Sequence, residues 1–184
     1  MSSVELWVTG FDASSDNWDK YGASPYLGAQ DGSNYVEDND RNNLCGLFTF
    51  DTSADLGTID SVYLYLYAWG VATTNFEALI NDTGTGLGPP TSAGWVNVDV
   101  TSIIGTWTAV NSANLLLDRP NTTNVAGCDA AYLLVNYTGS SGPILDAFNK
   151  LAYVSEPPTV GAWNKLAYDA GSPTSGQWNK LKYG

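Results

Sequence analysis

SVYLYLYAW, residues 61–69, alternates without a break. Val62, Leu64, Leu66 and Ala68 share one face of an extended chain, while Tyr63, Tyr65, Tyr67 and Trp69 share the other. Period-two alternation of this length predicts a β-strand whose aliphatic face lies in a core. The aromatic face must then meet something. A second packed layer, such as the C-terminal tail or a neighbouring subunit, is the reading preferred here. The other is a platform for sugar rings, whose apolar faces stack on flat aromatic ones.

Working outward, the segments VELWVTG, LFTFD, NFEALI, WVNVDV, ANLLLD and AYLLVNY are rich in Val, Leu and aromatic residues. They are bounded by Gly, Asn, Asp, Ser and Pro, which marks strands and turns. Only VTSIIGTW, residues 100–107, suits a turn of helix. Many short strands with irregular loops predict an all-β, jelly-roll-like β-sandwich over residues 1–145. A tail of repeats follows over 146–184.

Composition narrows the function. The chain has 184 residues, a net charge of −12 and no histidine. The charge argues against nucleic acid and anionic membranes as partners. The missing imidazole removes Ser-His-Asp and Cys-His catalysis and every histidine zinc site. No apolar run approaches the roughly 18 residues that span a bilayer, and the start MSSVELWVTG shows no secretory signal. Charged residues are only 14%, so Asn, Ser, Thr, Gly and Tyr must cover the surface. That suits a virion, an adhesin or another outer surface better than a cytosolic enzyme.

The polar segment GAQDGSNYVEDNDRNN carries Asp31, Glu37, Asp38 and Asp40. Clustered carboxylates of this kind suit calcium, although the spacing is not that of an EF-hand; a solvated loop is the preferred reading. Cys45 and Cys128 each precede a strand-like run. If those strands are neighbours, the pair suits a disulfide; otherwise both are buried thiols. Sequons occur at Asn81, Asn121 and Asn136, a number that chance supplies in a chain of this composition.

The stretch LFTFDTSADLGTIDSVYLYLYAW resembles the DNRLRE-type β-sandwich domains, in which an RFD-S strand leads through a short loop into a TI-SA-L-LY segment. Phe50-Asp51 and Thr58-Ile59 stand at those places. GWVNVDVTSIIGTW is similar to the family's W-x-x-V-D-V-T segment with a second Trp after it, the match resting on Trp95, Asp99, Thr101 and Trp107. NSANLLLDRP and AAYLLVNYTG resemble the two closing strands, so the resemblance runs over about residues 44–138. Thr49 stands where the family has Arg, and the usual Gly of the closing segment is absent. The resemblance implies a jelly-roll-like sandwich of the sort found on cell-surface, secreted and viral proteins as adhesive, structural or carbohydrate-binding modules, and it brings no catalytic residues. Asp51 and Asp99 read as turn-formers that accept backbone hydrogen bonds. Trp95 and Trp107 read as closing one end of the core.

The tail repeats one phrase at a period of 15: FNKLAY from Phe148, WNKLAY from Trp163 and WNKLKY from Trp178. An even repeat of this kind means stacked units or several copies of one binding peptide. In-register parallel stacking would align Lys150, Lys165 and Lys180, which is unfavourable. The anchors Phe148, Trp163, Trp178, Tyr153, Tyr168 and Tyr183 must dock, either on the protein's own sandwich or on a neighbouring chain, where three weak contacts reinforce one another. These features predict a non-enzymatic structural protein of a viral or extracellular assembly, with protein partners, a homo-oligomer first among them. A carbohydrate-binding or adhesion module is the alternative. No cofactor is expected apart from the calcium site considered above.

Overall fold

The computed structural model describes residues 1–12, 18–38, 44–70, 76–118 and 125–139. The repeat tail with its six aromatic anchors, Asp40 and Asn121 lie outside the described residues.

Among the described residues ten strands and two short helices follow one another: β1 (Ser2–Asp12), β2 (Asp19–Tyr21), β3 (Tyr35–Asp38), β4 (Leu47–Phe50), β5 (Gly57–Trp69), β6 (Glu77–Ile80), β7 (Thr83–Leu87), β8 (Gly94–Asp99), α1 (Thr101–Ile104), α2 (Trp107–Asn111), β9 (Asn114–Asp118) and β10 (Ala126–Gly139). Every strand read from the sequence is present. Three more escaped it: β2 is the three-residue DKY, β3 lies in the polar segment, and β7 is TGTGL, a run without apolar alternation.

The strands form a jelly-roll-like β-sandwich, antiparallel throughout. One sheet runs β8–β5–β10. Beyond β10 it continues as the first half of β1, beside residues 132–137, and as β3 then β2, beside residues 126–128. The other sheet runs from the second half of β1 through β4, β9, β6 and β7. Strand β1 thus belongs to both sheets and changes over at a register shift between Val8 and Gly10. Gly10 suits the changeover, since a Cβ there would meet the hydroxyl of Thr49, which would have to turn away.

The aliphatic face of β5 does enter the core: Val62, Leu64, Leu66 and Ala68 are fully buried. Leu6, Leu133 and Val135 join them from the same sheet. Phe48, Ile80, Leu115 and Leu117 face them from the other sheet. Helices α1 and α2 close one end with Ile104, Trp107 and Val110; Trp18 and Phe76, ring centroids 5.8 Å apart, are buried in the same core.

Local chemistry explains the turns. Asp51 Oδ1 accepts the amide of Thr52 at 2.8 Å, and Asp99 Oδ1 accepts the amide and the hydroxyl of Thr101 at 2.8 and 2.5 Å. Both are turn-formers, as the sequence indicates. Trp107 plugs the end of the core and donates from Nε1 to Gly57 O at 2.6 Å. Trp95 does not; it lies on the outer face and is 40% exposed. The reason is parity, since in β8 Val96 and Val98 turn inward and Trp95, Asn97 and Asp99 outward.

The disulfide expectation is corrected. Cys45 and Cys128 are not joined to each other and are the two buried thiols of the other alternative, both fully buried. The strands they precede are not neighbours: β4 pairs with β1 and β9, whereas β10 pairs with β1, β3 and β5.

Candidate functional site

The site is built on the outward face of the β8–β5–β10–β1 sheet. Antiparallel pairing sets residues in rows across it. One row is Asn97, Tyr65, Tyr132 and Trp7; the next toward β1's exit from the sheet is Trp95, Tyr67 and Ala130; a third is Trp69, Gly127, Glu37 and Asp19. All four aromatics picked out from the sequence, Tyr63, Tyr65, Tyr67 and Trp69, lie on this face and are half-buried. They meet Trp7, Tyr132 and Tyr35, which the sequence did not single out, and Trp95, which the sequence reading puts at one end of the core. What no local signal carried was the register that brings them together.

The rings form a connected cluster. Tyr65 stacks on Tyr132 with centroids 4.8 Å apart and planes 5° apart, and Trp7 leans on the other side of Tyr132 at 4.6 Å and 31°. Trp95 stands nearly perpendicular to Tyr67, Tyr132 and Trp7, at 72°, 68° and 81° and centroid distances of 5.6, 5.4 and 6.3 Å. Starting on β8, its indole therefore reaches over β5 to meet the Tyr132 ring of β10. Ala130, the small residue of that row, leaves it room. Its Nε1 donates to Gln30 Oε1 at 3.2 Å in the loop beyond β10, which fixes the ring. Trp7 is tied in the same way, its Nε1 donating to Glu5 Oε2 at 3.2 Å.

Trp69 repeats the device one row on. It starts on β5, lies over Gly127 of β10, and donates from Nε1 to Glu37 Oε2 of β3 at 3.3 Å. Tyr35 meets Trp69 edge-on at 5.4 Å, and Tyr21 stacks on Tyr35 at 4.5 Å and 17°. Burial raises the phenol of Tyr132 above its ordinary range, with the charge of Glu5 adding to it. It is therefore a neutral hydrogen-bond donor at physiological pH.

Of the four carboxylates considered for calcium, the three that are described, Asp31, Glu37 and Asp38, are not brought together. Glu37 lies on the outer face under Trp69, and Asp38, its neighbour in β3, points the opposite way and is buried. Asp31 holds its own loop: its Oδ1 accepts the amides of Ser33 and Asn34 at 2.7 and 2.8 Å, which keeps its carboxyl below the usual range. Among the described residues no three acidic or thiol side chains converge as a metal cluster would. Asp129, missed in the sequence, is buried on β10 and accepts the Gly32 amide at 3.1 Å; burial raises its carboxyl above the usual range. A cleft of about 420 Å³ opens beside the 22–34 loop, lined by Val8, Thr9, Pro25, Tyr26, Gly28 and Asn34 among others. Among the described residues no helix is long and apolar enough to cross a membrane.

No family model and no curated protein matches the chain. Among solved structures it is similar to the carbohydrate-binding module CBM35 from Cellvibrio japonicus Abf62, at 16% identity and a TM-score of 0.41, over 74% of this chain and 95% of that one. It is also similar to CBM29_1, a family 29 carbohydrate-binding module from Piromyces equi, at 10% identity and a TM-score of 0.41, over 74% of this chain and 93% of that one. At those scores neither ligand nor mechanism transfers.

Proposed function

We propose that the protein is a non-catalytic glycan-binding module, displayed on a surface or outside the cell, whose ligand stacks on the outer aromatic face around Trp95. One observation carries the reading: an indole 40% exposed, laid across two strands, braced by three rings and tethered through its N–H. Water gains nothing from a ring held open in this way, whereas the apolar face of a sugar does. The surroundings suit the other half of a sugar. Glu5, Gln30 and Asn97 are acceptors at the edge of the rings, ready for hydroxyl groups. The rings are in mutual contact and leave no gap between them, so the cluster is not the cage that surrounds a quaternary ammonium. The binding of a soluble polysaccharide panel by the full chain, compared with Trp95→Ala, tests the reading. Retention of a glycan that the variant loses supports it; equal binding by both, or none by either, refutes it.

The tail favours a second role. Three copies of an aromatic-Asn-Lys-Leu-x-Tyr phrase suit multivalent attachment to a larger assembly, such as a virion or fibre, with the sandwich as its displayed head. Light scattering of the full chain against one ending at residue 139 checks that role separately, since the glycan face lies wholly within the sandwich.

A further inference from the structure

The aromatic face carries one structural device twice. Trp95 lies in the row of Ala130, reaches over β5 toward β10 and is tethered to Gln30; Trp69 lies over Gly127 of β10 and is tethered to Glu37. In each case a long indole starts on one strand, shares its row with a small residue of the central strand and is held at its far end by an acceptor on the element beyond that strand. The two small residues are two to three steps of about 3.3 Å apart along β10, or about 7–10 Å. The second indole is extended outward by Tyr35 and by Tyr21, which is 38% exposed at the margin. Two stacking places side by side on an open sheet suit a chain that runs across both, rather than a single terminal sugar.

Charge narrows the ligand further. Glu5, Asp19, Glu37 and Asp99 share the outward rows. Lys20, the only lysine or arginine among the described residues, lies over Phe11 and donates to Trp18 O, away from that face. A uronate or sulfated chain would bring its charge against carboxylates with no cation of the described residues on that face to meet it.

We infer that the face is a two-place track for an extended polysaccharide of neutral sugars, with Trp95 and Trp69 as its stacking residues. This rests on the glycan-binding reading above and adds the class of ligand and the second place. The test is affinity electrophoresis of the full chain in gels cast with xylan, mixed-linkage β-glucan or galactomannan, and with alginate or polygalacturonate. Calorimetry follows with di- to hexasaccharides of whichever neutral polymer retards it. The variants are Trp95→Ala, Trp69→Ala and, because Trp69 packs on Gly127, the exposed Tyr21→Ala, which removes a ring without disturbing the core.

The expected result is retardation by a neutral polymer, affinity that rises with chain length, and loss of all binding in Trp95→Ala. Trp69→Ala and Tyr21→Ala weaken polymer binding by about tenfold or more and leave the shortest oligosaccharide unaffected. Unchanged polymer binding in both of these variants, with binding lost in Trp95→Ala, overturns the track and leaves the glycan reading standing. Retardation by the anionic polymers alone overturns the neutral class. No retardation of the wild-type chain by any polymer removes the glycan reading itself.

Discussion

The indole of Trp69 lies directly against the Cα of Gly127, so that a Cβ at position 127 would collide with the ring and come within 2.8 Å of Val36 O. Backbone and ring close on the glycine from both sides, and neither can yield without moving β3 or β5. Gly127→Ala is expected to cost about 1–3 kcal/mol, read as a lower urea midpoint with a changed tryptophan emission spectrum. An unchanged midpoint would show that Trp69 has another place to lie.

Asn81 and Asp82 connect β6 to β7 with φ of 49° and 60°, and Ile80 and Thr83 pair across the turn. A two-residue hairpin with both central residues left-handed favours glycine. Asn81 has a further task, since its side chain accepts the amide of Asn114 at 3.0 Å. Asp82 is exposed and has none among the bonds described. Asp82→Gly should therefore stabilise and Asp82→Ala destabilise, each by about 0.5–1 kcal/mol, measured as shifts of the unfolding midpoint in opposite directions.

Two aspartates should give opposite pH dependences. Burial holds the carboxyl of Asp129 above the usual range, so the folded state binds its proton more tightly than the unfolded chain does. That contribution is complete below about pH 4 and is lost as pH rises through the folded value. Asp99 is held below the usual range, first by the Thr101 hydroxyl and then by its amide. Its contribution is present above about pH 4 and lost as pH falls through the folded value. Between acid and neutral pH, Asp129→Asn should gain stability relative to wild type as pH rises, and Asp99→Asn should lose it. Parallel curves for the two variants would contradict both assignments.

Cys45 and Cys128 should be silent in the native protein. Both are fully buried, and burial pushes the Cys128 thiol far above the ordinary range. Intact mass after iodoacetamide should show no addition under native conditions and two in urea, and a reducing agent should leave the melting temperature unchanged. Rapid native labelling, or a mass two units low that dithiothreitol restores, would mean that the thiols are not where the fold puts them.

Much of the architecture was legible because β-sheet alternation is a local property. A residue's parity alone tells which face it takes, so SVYLYLYAW declares its buried and its outward sides without reference to any partner. Asp51 and Asp99 were legible as turn-formers for the same reason, their bonds reaching residues one or two positions away. The hidden strands were those without apolar alternation, β7 with its glycines above all, and the short pair β2, only DKY, and β3, inside a polar segment.

By itself, then, the sequence determined that this is an all-β chain without histidine chemistry, with an aliphatic face for a core and an aromatic face left over. Only the tertiary structure decided what that second face is. Pairing of β5 with β10, and of β10 with β1, set Tyr65, Tyr132 and Trp7 in one row, and the small residues Ala130 and Gly127 left room in the rows that hold Trp95 and Trp69. It also put Cys45 and Cys128 beside strands that never pair. The physical reason is that register and partner choice are non-local. They follow from burying whole faces at once, between segments as far apart in sequence as Trp7 and Tyr132, and no stretch read alone contains that energy.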